Sequence, residues 1–137
     1  IELFMECYDD AEEIITKRQD GKVQIVLENI YFDLNKWDIK SDAERILNVL
    51  VDLLKKYPEM EIEIGAHTDS RASDYYNIIL SNKRAASTLE YLVKNGIKRK
   101  RLRSKGFGET VPLVKCGNAC TEQEHSINRR CEFIILK

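Results

Sequence analysis

A strictly alternating segment lies between two stretches of helical periodicity, and this arrangement limits the possible folds more than any other feature of the chain. Residues 61–67 (EIEIGAH) place isoleucine and alanine on one face and acidic residues and glycine on the other, the pattern of a half-buried strand. Apolar residues recur at helical spacing over 43–57, where Pro58 ends the stretch, and again over about 73–95. A strand between two one-sided helices predicts a sheet with helices packed on one face.

Three further strands are predicted around this unit, at residues 22–30, 101–107 and 130–136. Ser41 and Asp42 offer an N-cap for the first helix, and residues 108–126 read as a long loop. Strands joined through helices are expected to be parallel neighbours or near neighbours, while the last strand, which follows without a helix, is expected to run antiparallel. The sequence therefore predicts an α/β (α+β) two-layer sandwich in which a mixed four-stranded sheet carries two long helices on one face, in the order β-α-β-α-β-β.

Length and charge fit a single domain with no general affinity for polyanions. The chain has 137 residues, and its formal net charge of −1 gives no reason to expect binding to nucleic acid or to an anionic membrane. A basic run at residues 98–105 contains no interleaved aromatic residues, so it is expected to be a solvated loop face. No apolar run approaches the length of a transmembrane helix. Residues 1–21 are predicted to be a linker or a short helix from an upstream region, and residues 22–137 the compact domain.

The polar segment after the alternating strand is the strongest candidate for a site. Asp69 follows the strand, and Arg84 lies fifteen residues later on the next helix, on the flank that also carries Asn77, Leu80 and Ser81. Two interpretations fit this spacing. The pair could be a structural ion pair that ties the loop to the helix. It could instead be a clamp for a zwitterion, with Asp69 accepting an ammonium and Arg84 binding a carboxylate. Spacing leaves both open.

Four segments together resemble one known family. They are IYFDLNKWDI (30–39), IGAHTDSRASDYYNIILSNKRA (64–85), LRSKGFGETVP (102–112) and NRRCEF (128–133). They look like the domain shared by the C-terminal part of OmpA, the peptidoglycan-associated lipoprotein and the flagellar stator protein MotB. The resemblance runs from about residue 23 to residue 137. Each piece alone is weak, but the combination in this order is highly specific.

The resemblance implies a ligand and a set of ligand-binding residues. In this family the ligand is the diaminopimelate residue of the peptidoglycan stem peptide, and Asp69 and Arg84 match the residues that grip its ammonium and carboxylate. Strand alternation lets only one of the last two arginines of the N-R-R motif face the ligand, and we expect it to be Arg129 rather than Arg130. The implied ligand-binding set is Phe32, Asp33, Asp69, Asn77, Leu80, Arg84, Asn128 and Arg129.

One residue and one loop differ from the usual family pattern. Ala72 stands where the family usually has glycine, and alanine would cost about 1 kcal/mol if that position needed a positive φ. The other is the cysteine-containing loop before Glu124 and His125, which resembles a version of the domain found in Bacteroidetes-type envelope proteins. That resemblance implies a disulfide between Cys116 and Cys120. The alternatives are free thiols, or a zinc site that these two cysteines form with His125 and Cys131, although the C-x3-C spacing is not the usual one.

The family resemblance implies a binding module rather than an enzyme, with no cofactor and no metal. No G-x-S-x-G or H-E-x-x-H motif occurs, and His67 is expected to be a structural histidine. The implied function is non-covalent binding of peptidoglycan in the periplasm, which anchors an outer-membrane barrel, a lipoprotein or a secretion-complex component to the wall. Any targeting signal or lipid anchor is expected outside this chain. The alternative is an interaction or assembly domain of the same fold that has lost peptidoglycan binding.

Overall fold

The structure is a computed structural model that describes residues 14–33 and 35–136, which form a five-stranded sheet and three α-helices. The strands are β1 (Ile15–Lys17), β2 (Val23–Ile25), β3 (Ile62–His67), β4 (Leu102–Gly108) and β5 (Arg130–Ile135). The helices are α1 (Ser41–Lys56), α2 (Asp74–Lys94) and α3 (Glu122–Asn128), with single 3-10 turns at Arg99–Arg101 and Gly117–Ala119.

The sheet is mixed and has the order β1-β2-β5-β3-β4, so that β1 and β4 form its edges. Strands β3 and β4 are parallel neighbours, and β5 runs antiparallel to both β2 and β3. The predicted α+β class and the antiparallel last strand are confirmed. The strand count of four was wrong, because β1 adds a fifth.

Strand β1 falls within the segment predicted to be a linker or a short helix. Ile15 is buried and pairs with Ile25 of β2, so burial of an apolar side chain draws this segment into the sheet. Residues 1–13, most of the predicted linker, lie outside the described residues.

The core lies between one face of the sheet and helices α1 and α2. Ile62 and Ile64 of β3 are fully buried, as the alternating pattern predicts, and they belong to the same cluster as the inner faces of both helices. Each fully buried aliphatic side chain of this size contributes about 1.5–3 kcal/mol. The buried helical members of the cluster include Leu47, Leu50 and Leu54 of α1 and Ala85, Leu89 and Leu92 of α2.

Some predicted boundaries change in the structure. Helix α1 begins at Ser41 itself, after Lys40, and no side chain caps its first turn, so the predicted Ser41-Asp42 cap was wrong. Strand β2 is shorter than the predicted strand at 22–30, because residues 26–30 leave the ladder. The predicted loop 108–126 contains the start of α3, which Thr121 and Glu124 begin with a reciprocal capping box. None of the helices in the described part of the chain is long and apolar enough to cross a membrane.

Candidate functional site

A cavity of about 450 Å³ opens where β3 ends and α2 begins. Its walls come from the loop before α1, from the loop after β3, from one flank of α2, and from the segment where α3 meets β5. Six of the eight side chains that the sequence analysis assigned to the ligand line this cavity: Phe32, Asp69, Asn77, Leu80, Arg84 and Arg129.

Asp69 is almost buried, and two arginines hold its carboxylate. Oδ2 accepts from Nη2 of Arg71 at 2.8 Å and from Nη1 of Arg129 at 2.9 Å, while Oδ1 accepts from the backbone N–H of Arg71 at 3.0 Å. Burial by itself would raise the pKa of Asp69, but the hydrogen bonds from Arg71 and Arg129 outweigh it and hold the pKa well below its usual range. The carboxylate is therefore a fixed negative charge at neutral pH, and Oδ1 keeps acceptor capacity for a further donor.

Arg84 is held by backbone carbonyls and an aromatic ring rather than by an acid. Its Nε donates to the carbonyl of Lys36 at 2.9 Å and its Nη2 to the carbonyl of Asp33 at 3.2 Å, and the guanidinium lies 4.9 Å from the ring centroid of Phe32. Burial lowers the pKa of Arg84, yet arginine stays protonated. Within residues 14–33 and 35–136, Nη1 has no hydrogen-bond partner, so it can donate to a ligand.

Asp69 and Arg84 line one cavity without pairing with each other. Among the described residues, the ion pairs of Asp69 go to Arg71 and Arg129. The interpretation of Asp69 and Arg84 as a structural ion pair was therefore wrong. Each of the two opposite charges is fixed by other groups, which is the arrangement that a clamp for a zwitterion requires.

Glu122 completes a closed ring of four charges that the sequence analysis did not predict. Its carboxylate accepts from Nη1 of Arg71 at 2.7 Å and from Nη2 of Arg129 at 2.9 Å, and these arginines also contact Asp69. Glu122 stands directly after Thr121 in a T-x-x-E capping box. That motif could have revealed the start of α3, but not the contact of Glu122 with residue 71, which lies 51 positions earlier.

Asn77 fixes the loop between β3 and α2. Its buried amide donates to the backbone carbonyls of Asp69 and Ala72 and to the carboxylate of Glu109, at 3.1–3.3 Å. Burial raises the pKa of Glu109, and its hydrogen bond with Asp74 raises it further.

Ala72 does not adopt a positive φ. Among the described residues other than glycine, only Asn35 does. The loop therefore accepts alanine without strain at this position.

Two predicted ligand-binding side chains lie outside the cavity wall. The carboxylate of Asp33 is 65% exposed and pairs with Lys40, so only its backbone carbonyl approaches Arg84. The amide of Asn128 bonds instead to the backbone of Leu113 and Val114, and this fixes the loop before α3.

The two arginines of the N-R-R motif have different partners, but strand alternation is not the reason, because Arg129 is the C-cap of α3 and only Arg130 lies in β5. Arg129 turns to Asp69, whereas Arg130 also lines the cavity but donates to Glu132 at 3.0 Å and to the carbonyl of Val111. Arg129, rather than Arg130, contacts Asp69.

The glycines of the G-x-G-E motif allow β4 to approach α2. A Cβ on Gly106 would stand 2.2 Å from the backbone nitrogen of Asn82, and the N–H of Gly106 donates to the Asn82 side chain at 2.8 Å. Gly108 has a φ of +57° and donates to the hydroxyl of Ser81. This motif is thus a packing device that sets the position of α2, and with it Arg84, against the sheet.

A disulfide joins Cys116 and Cys120 directly before α3, with a Cα–Cα distance of 5.1 Å. It uses two of the four ligands that the alternative zinc site would need. Cys131 is a free thiol, and burial raises its pKa to about 12. It therefore remains a neutral thiol beside the cavity.

His67 lies on the face of the sheet opposite the core. Its ring stacks on Phe107 with a centroid distance of 4.8 Å, and its Nε2 lies 3.3 Å from Oε1 of Glu132. The proximity of His67, together with the charge of Arg130, lowers the pKa of Glu132 to about 2 against the opposing effect of burial. These contacts support the interpretation of His67 as a structural residue.

Comparison with known proteins places these features in one family. The model of the OmpA family matches residues 31–126. The peptidoglycan-associated lipoprotein of Rhizobium meliloti is 34% identical over 86% of this chain and 65% of that protein. The photosystem I P700 chlorophyll a apoprotein A2 of Gloeobacter violaceus is 38% identical over 90% of this chain, but over only 15% of that protein.

The same likeness extends to solved structures. A putative MotB-like protein from Desulfovibrio vulgaris superposes with a TM-score of 0.73 at 27% identity, over 92% of this chain and 80% of that one. The chain spans 15% and 65% of the two curated relatives named above, so it corresponds to one part of each. The motifs, the fold and the family match agree, and the chain belongs to the OmpA family.

Proposed function

We propose that this chain binds peptidoglycan by gripping the zwitterionic end of diaminopimelate between Asp69 and Arg84, and so anchors an envelope protein to the cell wall. The observation that carries the proposal is a pair of opposite charges that line one cavity without pairing with each other: a fixed carboxylate with acceptor capacity at Oδ1 and a guanidinium whose Nη1 has no hydrogen-bond partner among the described residues. An amino acid end presents an ammonium and a carboxylate a few ångströms apart, which matches both charges in sign.

The two binding groups act differently. Arg84 donates Nη1 to the ligand carboxylate without breaking its bonds to the carbonyls of Lys36 and Asp33. The ammonium approaches Asp69 through Oδ1, which accepts from the backbone N–H of Arg71 and keeps room for a further donor. Leu80 and Phe32 supply the apolar wall along which a methylene chain lies.

The domain is a binding module and not an enzyme. It acts in the periplasm and is attached to the outer membrane through parts of the protein outside this chain. Its relatives include peptidoglycan-associated lipoproteins and an outer membrane porin F of Pseudomonas fluorescens, which is 34% identical over 78% of this chain and 32% of that protein. The whole protein that it anchors is accordingly a lipoprotein, an outer-membrane barrel or a component of a secretion complex.

The test is co-sedimentation with purified sacculi, together with calorimetric titration of a diaminopimelate-containing stem tripeptide. Asp69→Asn and Arg84→Gln each remove one charged hydrogen bond, about 1.5–3 kcal/mol, so each is expected to weaken binding about 10- to 100-fold. Asp52→Asn and Arg45→Gln, exposed positions away from the cavity, are matched controls that should bind like the wild type.

Unchanged binding by both cavity variants would overturn the clamp. A folded wild-type chain that binds neither sacculi nor the tripeptide would support the alternative of an assembly domain that has lost peptidoglycan binding. A rise in soluble muropeptides during incubation would contradict the assignment as a non-enzymatic module.

A further inference from the structure

The guanidinium groups of Arg71 and Arg129 each have hydrogen-bond donors on two sides, and Asp69 accepts from only one side of each. Nη2 of Arg71 and Nη1 of Arg129 donate to Asp69, while the opposite nitrogens donate to Glu122 at 2.7 and 2.9 Å. The carboxylate of Glu122 thus bridges the two guanidinium groups, with one oxygen on each. This is the geometry that a carboxylate arriving from solution would adopt.

Glu122 is far more loosely held than Asp69. Its side chain is 66% exposed, against 10% for Asp69, and it stands in the first turn of α3 at the cavity mouth. Releasing Glu122 from the arginines costs little free energy, because its exposed carboxylate is already largely hydrated. Arg71 and Arg129 stay fixed by Asp69 when it leaves.

The charge balance of the cavity favours a further anion. Asp69, Arg71, Arg84 and Arg129 together carry three positive charges and one negative charge, a net +2, while Arg130 is paired with Glu132. The zwitterionic end of diaminopimelate adds no net charge, so it cannot compensate this excess. In the free protein Glu122 compensates half of it.

We propose that Arg71 and Arg129 form a second anion subsite, which Glu122 occupies in the free protein and a second carboxylate of the same stem peptide occupies in the complex. This inference rests on the proposed function and deepens it. Glu122 is then a competitor that the ligand displaces, and it sets the preference of the site for peptides with a free carboxylate beyond the clamped end.

One substitution distinguishes a competitor from a positioning residue by whether it raises or lowers the affinity for the ligand. If Glu122 competes with the ligand, Glu122→Gln strengthens binding of the free-acid peptide, by about threefold to tenfold for two partly exposed ion pairs. If Glu122 only holds the arginines in place, the same change weakens binding. Glu90→Gln removes a carboxylate that is 56% exposed and pairs with Arg99 away from the cavity, and it serves as the charge-matched control.

The experiment is calorimetric titration of the wild type, Glu122→Gln and Glu90→Gln with two probes. One is the stem tripeptide with all its carboxylates free, and the other is the same tripeptide with every carboxylate amidated except that at the clamped end of diaminopimelate. We expect the gain for Glu122→Gln with the free-acid probe and less than a twofold change with the amidated one. Circular dichroism melting confirms that the variants are folded.

A loss of affinity for the free-acid probe, or an equal change for both probes, would overturn the second subsite while leaving the clamp in place. Absence of binding of either probe to the wild type would overturn the proposed function itself, so the two failures are distinguishable.

Discussion

At the scale of a single residue, Glu132 makes the stability of the folded domain depend on pH in the acidic range. Its pKa falls to about 2 in the folded state, chiefly through His67 and Arg130, from an ordinary value of about 4.3 in the unfolded chain. A carboxyl group whose pKa is lowered by folding stabilises the protein above the unfolded value, and this stabilisation is lost as pH falls from about 4.3 toward 2.

Glu132→Gln is therefore expected to flatten the acid side of the stability profile. Discounted for solvent screening, the wild type should lose about 1–2 kcal/mol more free energy of unfolding between pH 5 and pH 2 than the variant does. Urea unfolding at a series of pH values measures this, with the exposed Glu28→Gln as the control. Parallel curves for wild type and Glu132→Gln would contradict the role of this carboxylate.

Single residues also show how far the sequence predicts the site. Asp69 and Arg84 could be selected because their motifs surround them. The preference for Arg129 over Arg130 rests on strand alternation, which does not apply, since Arg129 is the C-cap of α3 and β5 begins at Arg130. The contacts of Asp69 could not be predicted, since its partner Arg129 lies 60 positions away. Asp33 shows a related limit: a motif identifies a position, but here the backbone carbonyl of that position accepts from Arg84 and its carboxylate pairs with Lys40.

At the scale of elements, the disulfide and α3 act as one unit beside the cavity. The Cys116–Cys120 bridge ends one residue before the capping box of α3, and Asn128 at the other end of the helix bonds to the backbone of Leu113 and Val114. The bridge therefore restricts the segment that carries Glu122 and Arg129.

The double variant Cys116→Ser/Cys120→Ser is expected to lose about 2 kcal/mol of unfolding free energy, the value for closing so short a loop in the chain-entropy model. Thermal melting with and without reductant measures this. Reductant should lower the melting temperature of the wild type toward that of the variant and leave the variant itself unchanged. A wild-type melting temperature that does not respond to reductant would show that the bridge does not contribute.

Element length decides which elements the sequence predicts. Helices α1 and α2 have 16 and 21 residues, long enough for an apolar stripe to be unambiguous. Helix α3 has seven residues and β1 has three, so neither shows a period. Their stability comes from a capping box in one case and from pairing with β2 in the other, and only the capping box leaves a trace in the sequence.

At the scale of the whole molecule, ligand binding and unfolding are linked. A ligand that binds only the folded chain stabilises it by about 2.7 kcal/mol at 100 times its dissociation constant, which corresponds to roughly 8 °C in the melting temperature of a domain of this size. We expect this shift with the stem tripeptide, measured by differential scanning fluorimetry. Arg84→Gln binds about 10- to 100-fold more weakly in this proposal, so at the same peptide concentration its shift should be about two- to sevenfold smaller, and equal shifts would place the ligand elsewhere.

The overall architecture follows from the order of periodic segments. The three strands linked by α1 and α2 run in one direction, and β5 runs antiparallel to them as predicted, although the short helix α3 precedes it. That order does not determine where β5 inserts. It lies between β2 and β3, and this insertion brings Arg129 next to Asp69 at the end of β3.

The edge strand β4 has a consequence for copies of the domain that lie close together, as the proposed binding to one polymer would bring them. Among the described residues, the seven-residue outer edge of β4 pairs with no further strand, so its backbone groups are open to a neighbouring sheet. Arg103 and Lys105 are exposed along this edge, so two such edges repel each other before their backbones can pair. The positive charge of this strand thus opposes edge-to-edge pairing between copies of the domain.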